Sequence, residues 1–121
     1  MTGIATGTKM ISAIVVTHGR LGAELIATAR TIIGDFSGVY PISNEDKSPQ
    51  QLADEIDAIL ENASPDDGFI LLVDFLYGSC GHATMAVERR RRHVSIVSGV
   101  NLPMVLAFLN MDRWFGHTEL A

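Results

Sequence analysis

The sequence predicts an α/β fold, an open doubly wound parallel sheet of four strands in the order 2-1-3-4 with helices on both faces. Apolar runs rich in Val, Ile and Leu alternate with segments of helical periodicity. Such runs without polar alternation are typical of strands buried on both faces of a parallel sheet. The short connections favour right-handed crossovers. Pro41 in the second run places that strand at an edge, because proline cannot donate to a ladder on both sides.

The elements follow one another in regular order. The first strand is followed by a helix with apolar residues at helical spacing, which Gly34 ends as a C-cap. A later helix begins with Ser48 at the N-cap and Pro49 in the first turn. The predicted strands are 11–17, 38–42, 68–73 and 94–100, and the predicted helices are 21–33, the helix that follows Ser48, 79–91 and 102–109.

Length and composition limit the possible classes of protein. The 121 residues predict one domain, which we place at 10–121 after a flexible leader at 1–9. No apolar stretch approaches the roughly 20 residues of a membrane span, and the leader lacks the features of a signal peptide, so we expect a cytoplasmic protein without membrane insertion. The net charge of -5 argues against nucleic-acid binding. The single Cys80 excludes an internal disulfide and a cysteine-based zinc framework.

Two apolar runs end on a titratable side chain. The first runs into His18 and the third into Asp74. In the order 2-1-3-4 these strands are neighbours, and both residues lie at the crevice where open α/β sheets bind ligands. A carboxylate that accepts a hydrogen bond from one ring nitrogen leaves the lone pair of the other nitrogen free to attack. The pair therefore fits a nucleophile with its orienting partner. From position alone, His18 could instead be a hydrogen-bonded loop histidine, and Asp74 could be a strand-end cap for a turn.

A phosphate-binding turn is predicted beside this pair. Gly78 and Ser79 open the third helix, whose N-terminal N–H groups can hold a phosphoryl group, although serine there is more commonly an N-cap. Gly19 lets a substrate approach the backbone, and Thr17 supplies a hydroxyl. Arg20 could add a positive charge, although an exposed arginine is more often only solvated.

The remaining polar residues receive structural interpretations. The arginines 89–92 complement the dipole of a helix end and are solvated, with docking to an acidic partner as the alternative. Position at a helix start would lower the pKa of Cys80, but no general base is near it in sequence, so a catalytic thiol is not expected. The other histidines lack metal-site spacing and are assigned to the surface, namely His82, His93 and His117. No metal site is predicted.

Three blocks resemble the IIA domains of the mannose class of the bacterial sugar phosphotransferase system. Residues 14–19 with the helix 21–29 are similar to the family's phosphohistidine segment. Residues 72–79 resemble its Asp-x-x-Gly-Gly-Ser-Pro block. Residues 98–104 are close to its Gly-Val-Asn-Ile-Pro-Met signature, the most specific of the three. The resemblance covers about 10–111.

The resemblance implies a phosphotransferase that carries a phosphoryl group on His18, oriented by Asp74, with Ser79 at the phosphoryl-binding helix start. It implies phospho-HPr as donor, a IIB component as acceptor, a homodimer, and no cofactor. The chain departs from the pattern at Tyr77 and Cys80, where the family usually has glycine and proline. It also ends at Ala121, before the last strand that members commonly exchange across a dimer, so the C-terminal part looks shortened and a sheet edge is left uncovered.

Three other functions remain open. A IIA domain without a transporter would report nutrient supply to a regulator through its phosphorylation state. The phosphoryl-donor subunit of dihydroxyacetone kinase uses the same histidine chemistry. A small tetrapyrrole metal chelatase also begins with a strand that runs into His-Gly, but it would need a second metal-binding histidine at the end of a later strand, and no predicted strand ends in this way.

Overall fold

The computed structural model describes residues 9–63, 67–111 and 114–115. The leader residues 1–8, His117 and the C-terminal residues 116–121 lie outside this part of the chain. Strands and helices alternate as predicted, with a short strand added at the end. In chain order they are β1 (Lys9–Thr17), α1 (Leu21–Ile33), β2 (Val39–Ser43), α2 (Pro49–Glu61), β3 (Gly68–Val73), α3 (Ser79–Arg90), β4 (Val94–Ser98), α4 (Leu102–Asn110) and β5 (Trp114–Phe115).

The sheet has the predicted strand order, β2-β1-β3-β4, with all three pairings parallel. Thr17 pairs with Ser43 of β2, and Val16 pairs with Val73 of β3. The carboxyl ends of these three strands are therefore level with one another. The short β5 was not predicted, and it pairs antiparallel with the first two residues of β1. It lies at the opposite end of β1 from His18.

Two apolar layers cover the sheet because successive side chains of a strand point to opposite faces. Ile14 and Val16 of β1 belong to one cluster of buried residues with Leu52 and Ile56 of α2 and with Ala83 and Val87 of α3. Ala13 and Val15 belong to the other, together with residues of α1 and α4 such as Ile26, Ala29, Val105 and Phe108. The helices that follow β1 and β3 thus lie on opposite faces, as a doubly wound fold requires.

The helix ends follow local sequence signals. Ser48 caps α2, with its hydroxyl and the side chain of Gln51 forming a reciprocal capping box. Gly34 ends α1 at a φ of +85°, a conformation that glycine adopts without steric cost. Helix α3 begins differently from the serine-cap alternative, because Gly78 is its N-cap and Ser79 is its first helical residue.

The arginine run at the end of α3 is not merely solvated. Arg90 donates to Asp57 at 2.7 Å, and Arg91 donates to the other oxygen of Asp57 at 2.8 Å and to Glu61 at 3.3 Å. The pKa of Arg91 is raised, chiefly by its hydrogen bond to Asp57. Arg90 and Arg91 join α3 to α2, a role that the sequence did not predict, while Arg90 remains half exposed. Within the described residues, no helix is long and apolar enough to cross a membrane.

Candidate active site

The candidate site lies where three neighbouring strands end. His18 directly follows β1, and Asp74 directly follows β3. Asn44 directly follows β2 on the other side of β1. Because parallel strands end at the same edge of the sheet, the topology brings these three side chains together. The sequence predicted the proximity of His18 and Asp74 and overlooked Asn44.

Asp74 holds the ring of His18 at one nitrogen. The Nδ1 atom of His18 lies 3.1 Å from Oδ2 and 3.2 Å from Oδ1 of Asp74. The backbone N–H of His18 also donates to Oδ2 at 2.9 Å, which fixes the carboxylate relative to the backbone of its partner. The Asp74 side chain is 14% exposed and that of His18 is 43% exposed. A carboxylate at Nδ1 favours the tautomer with the proton on Nδ1, so the lone pair lies on Nε2.

The Nε2 atom faces Gly78. A Cβ atom placed on Gly78 would lie 3.0 Å from Nε2 and 3.2 Å from Cε1 of His18, closer than side chains normally pack. Gly78 has an extended backbone with a φ of -142°, so space alone, rather than conformation, explains the glycine. The missing side chain leaves room beside the nitrogen that carries the lone pair.

Asn44 joins the segments that surround His18. Its Oδ1 accepts from the backbone N–H of Gly19 at 3.1 Å, and its Nδ2 donates to Oγ of Ser79 at 3.2 Å. Its own backbone N–H donates to the carbonyl of Thr17 at 3.1 Å. Gly19 has a φ of +58°, which lets the chain turn sharply after His18. Asn44 thereby links the turn that carries the histidine to the start of α3.

Thr17 stabilises the turn that carries His18. It is fully buried, and its hydroxyl accepts from the backbone N–H of Gly22 at 2.7 Å. This bond satisfies one of the unpaired donors at the start of α1. The predicted hydroxyl contact with a phosphoryl group does not fit this burial, and the residue instead holds the turn that carries His18. Arg20 points away to Glu24, at 2.8 Å, with 79% of its side chain exposed.

The start of α3 presents backbone donors beside the histidine. Its N-cap, Gly78, provides no side chain to bond the first N–H groups of the helix. Ser79 is half-buried at the first helical position. Gly81 is required here by close packing, since a Cβ atom on it would lie 1.7 Å from the carbonyl oxygen of Leu76. The loop from Asp74 to Gly78 is therefore packed directly onto the first turn of α3.

Two exposed aromatic rings lie on the loop that follows Asp74. Phe75 and Tyr77 are 53% and 87% exposed, and their ring centroids lie 5.6 Å apart in an edge-to-face arrangement. Tyr77 is one of the two departures from the family pattern. Its ring is almost fully exposed, so it adds aromatic surface to this loop.

Cys80 is the second departure, and it lies against the histidine. Its Sγ is 3.7 Å from Nδ1 of His18, and the residue is fully buried. Burial, together with the negative charge of Asp74, raises the pKa of the Cys80 thiol to about 11. The expected lowering of this pKa by the helix start is therefore wrong, because loss of hydration and the nearby carboxylate both disfavour the thiolate.

His18, Asp74 and Cys80 each offer one ligand atom within 4.8 Å of the others. This grouping could hold a metal ion, and the sequence did not predict it.

Known proteins resemble the chain in sequence and fold. Residues 12–114 match the family model described as PTS system fructose IIA component. The PTS system mannose-specific EIIAB component of Escherichia coli is 27% identical over 100 residues, which are 82% of this chain and 31% of that protein. The chain thus spans less than a third of the length of this relative.

Two solved structures share the fold. The mannose/sorbose specific IIA subunit of Enterococcus faecalis aligns with a TM-score of 0.75 at 23% identity, covering 93% of this chain and 84% of that one. The PTS IIA protein associated with the fucose utilization operon of Streptococcus pneumoniae aligns with a TM-score of 0.76 at 16% identity, covering 87% and 80%. At these identities the likeness concerns the fold alone.

Proposed function

The chain belongs to the mannose-class IIA family of the sugar phosphotransferase system, and on that premise we propose that it is a phosphocarrier that takes a phosphoryl group on Nε2 of His18. The donor is phospho-HPr and the acceptor is a IIB component. The observation that carries the proposal is the His18–Asp74 pair, in which a carboxylate holds Nδ1 and leaves Nε2 facing Gly78, a residue without a side chain.

The transfer requires one bond to form and one to break. The lone pair of Nε2 attacks phosphorus, and the bond between phosphorus and the donor breaks with its electron pair on the donor. The Nδ1 proton stays in its hydrogen bond to Asp74, so the positive charge that develops on the ring lies against a carboxylate. When the phosphoryl group passes from His18 to the acceptor, the protonated ring is a good leaving group.

The phosphoryl oxygens would bind at the start of α3. The uncapped N–H groups after Gly78 and the positive end of the helix dipole favour an anion there. The Ser79 hydroxyl, which accepts from Asn44, can donate its own proton to a phosphoryl oxygen. Phosphoryl transfer depends mainly on positioning and charge stabilisation, and these groups provide both.

The setting of His18 suits a protein partner. The histidine is 43% exposed, and the exposed Phe75–Tyr77 pair adds apolar contact area beside it. Two of the grooves in the described part of the chain lie around Asp67 and Phe69, at the end of the sheet opposite to His18, and a third is a shallow groove lined by Thr17, Gly19 and Arg20 beside the turn that carries His18. An open reactive surface favours transfer between proteins over reaction on an enclosed small molecule.

We also propose a homodimer. Strand β4 is the last strand of the parallel sheet in the described residues, and Val97 on it is 40% exposed. Met111 just beyond α4 is 44% exposed. An uncovered strand edge with exposed apolar side chains favours association with a second copy. A monomer in light scattering at high protein concentration would remove this proposal.

Radiolabelling tests the function directly. Incubation with labelled phosphoenolpyruvate, enzyme I and HPr should place one label per chain, lost in acid and stable in alkali, as a phosphorus–nitrogen bond requires. His18→Ala should abolish labelling and keep its fold, because an exposed side chain contributes little core packing. His82→Ala is the matched control, since His82 is also exposed and lies on α3, and it should be labelled normally.

Other outcomes would select the alternatives. A labelled His18→Ala protein would contradict the proposal. A wild type that takes no phosphate but inserts a divalent metal into a tetrapyrrole would identify a chelatase. Transfer onward to dihydroxyacetone kinase rather than to a IIB component would identify its phosphoryl-donor subunit. Labelling without any onward transfer would favour a regulatory protein.

A further inference from the structure

Three different metal-ligand types meet at His18. The sulfur of Cys80 lies 3.7 Å from Nδ1 of His18, and the carboxylate oxygens of Asp74 lie 3.1 and 3.2 Å from the same nitrogen. All three ligand atoms lie within 4.8 Å of one another. Cys80 stands where the family pattern usually has proline, a residue that has no ligand atom in its side chain.

The two separations measured from Nδ1 of His18 are those of a tetrahedral site. Zinc binds nitrogen at about 2.0 Å and sulfur at about 2.3 Å, so two such ligands at the tetrahedral angle are separated by about 3.6 Å. Nitrogen and carboxylate oxygen ligands are separated by about 3.3 Å on the same basis. The observed 3.7 Å between sulfur and nitrogen and 3.1 to 3.2 Å between nitrogen and oxygen match these separations. The third pair, the sulfur of Cys80 and a carboxylate oxygen of Asp74, lies within 4.8 Å, against about 3.6 Å on the same basis.

We propose that Nδ1 of His18, one carboxylate oxygen of Asp74 and Sγ of Cys80 bind one zinc ion, with the fourth position open to water. Thiolate, imidazole and carboxylate together suit Zn²⁺ better than Mg²⁺ or Ca²⁺, which prefer oxygen ligands. The backbone N–H of His18 already holds Oδ2 of Asp74, which leaves Oδ1 to face the ion. Zinc replaces the Nδ1 proton, and the proton of the thiol leaves to solvent.

Zinc at this position blocks phosphoryl acceptance, a consequence that rests on the proposed function. A neutral imidazole with a metal on Nδ1 carries its proton on Nε2. The Nε2 lone pair that would attack phosphorus is then absent, and Asp74 is bound to the metal instead of orienting the ring. The site therefore makes the reactivity of His18 depend on the concentration of free zinc.

Metal binding is measured first, without any phosphorylation. The wild type should bind one equivalent of Zn²⁺, and Co²⁺ in its place should show a sulfur-to-cobalt charge-transfer band. Cys80→Ala should lose that band and bind zinc at least about 10-fold more weakly than the wild type. His18→Ala, which keeps the thiol, should also bind zinc at least about 10-fold more weakly. His82→Gln should bind as the wild type does, because His82 is exposed on the same helix and lies outside the site. Thermal unfolding without metal verifies that each variant is folded.

The inhibition is measured second. Zinc should slow labelling of the wild type, and half-inhibition of Cys80→Ala, relative to its own zinc-free rate, should need at least about 10-fold more zinc. A wild type that binds no zinc, or a cobalt complex without a sulfur band, would overturn the site. Equal zinc sensitivity of wild type and Cys80→Ala would overturn the regulatory consequence. If no protein is labelled at all, the proposed function fails, while the cobalt spectrum still decides whether the site exists.

Discussion

Replacement of Asp74 by asparagine separates the orienting role of this residue from its role in the fold. The carboxylate makes two contacts, one with Nδ1 of His18 and one with the backbone N–H of His18. In Asp74→Asn the amide oxygen can retain the backbone contact. The amide NH₂ group then faces Nδ1 and favours the tautomer whose proton is on Nε2. Nucleophilicity should fall while the strand ends stay in place.

The size of the effect follows from these contacts. A hydrogen bond to a charged group contributes about 1.5 to 3 kcal/mol, and the one lost here is made to the cationic ring as phosphorus is transferred. At about 1.4 kcal/mol for each factor of ten, labelling should slow by about 10- to 150-fold. The free energy of unfolding should fall by about 1 kcal/mol or less, because the side chain is partly exposed and one contact is retained.

The assay compares initial rates of phosphoryl transfer from phospho-HPr to the wild type and to Asp74→Asn. Asp54→Asn is the control, since it makes the same change of charge at an exposed carboxylate on α2 that contacts only Gln50 in the described structure. Nitrogen NMR of the His18 ring should show the tautomer shift in Asp74→Asn alone. A rate for Asp74→Asn equal to that of the wild type would refute the orienting role.

Three further outcomes follow from close contacts in the site. Gly78→Ala places a methyl group 3.0 Å from Nε2 of His18, so labelling should slow while circular dichroism and thermal stability remain close to those of the wild type. Gly81→Ala places its Cβ atom 1.7 Å from the carbonyl of Leu76, so the loop must shift and the free energy of unfolding should fall by more than about 2 kcal/mol, measured by urea titration; an unchanged urea midpoint would contradict this packing. Burial raises the pKa of the Cys80 thiol to about 11. The metal-free native protein should therefore react slowly with iodoacetamide at pH 8, and faster as the pH approaches 11. Fast alkylation of the folded protein at pH 8 would contradict the burial of this thiol.

The strand order and the main pair of the site could be predicted because they depend on local patterns. Apolar runs define strands, Pro41 defines an edge, and a parallel sheet aligns the residues that follow neighbouring strands. The position of Gly78 and Ser79 at the start of α3, beside this pair, follows from the same topology. The phosphate-binding role of these residues stays a prediction.

The rest depends on distances that no linear pattern contains. Asn44 follows β2 at the same sheet edge as His18, and that position was the available signal, but a lone asparagine in a connection is also typical of an ordinary turn. The contact between Cys80 and His18 arises from the packing of the first turn of α3, which Gly81 permits. The raised pKa of Cys80 follows from that burial, whereas its position at a helix start alone suggested the opposite direction.

The most direct test of the account identifies the atom of His18 that carries the phosphoryl group. Phosphorylated protein labelled with nitrogen-15 in histidine reports, through phosphorus–nitrogen coupling, which ring nitrogen is bound to phosphorus. Because Asp74 holds Nδ1 and Gly78 has no side chain beside Nε2, we predict coupling to Nε2 of His18 alone. Coupling to Nδ1, or a phosphoryl group on Ser79, would contradict it.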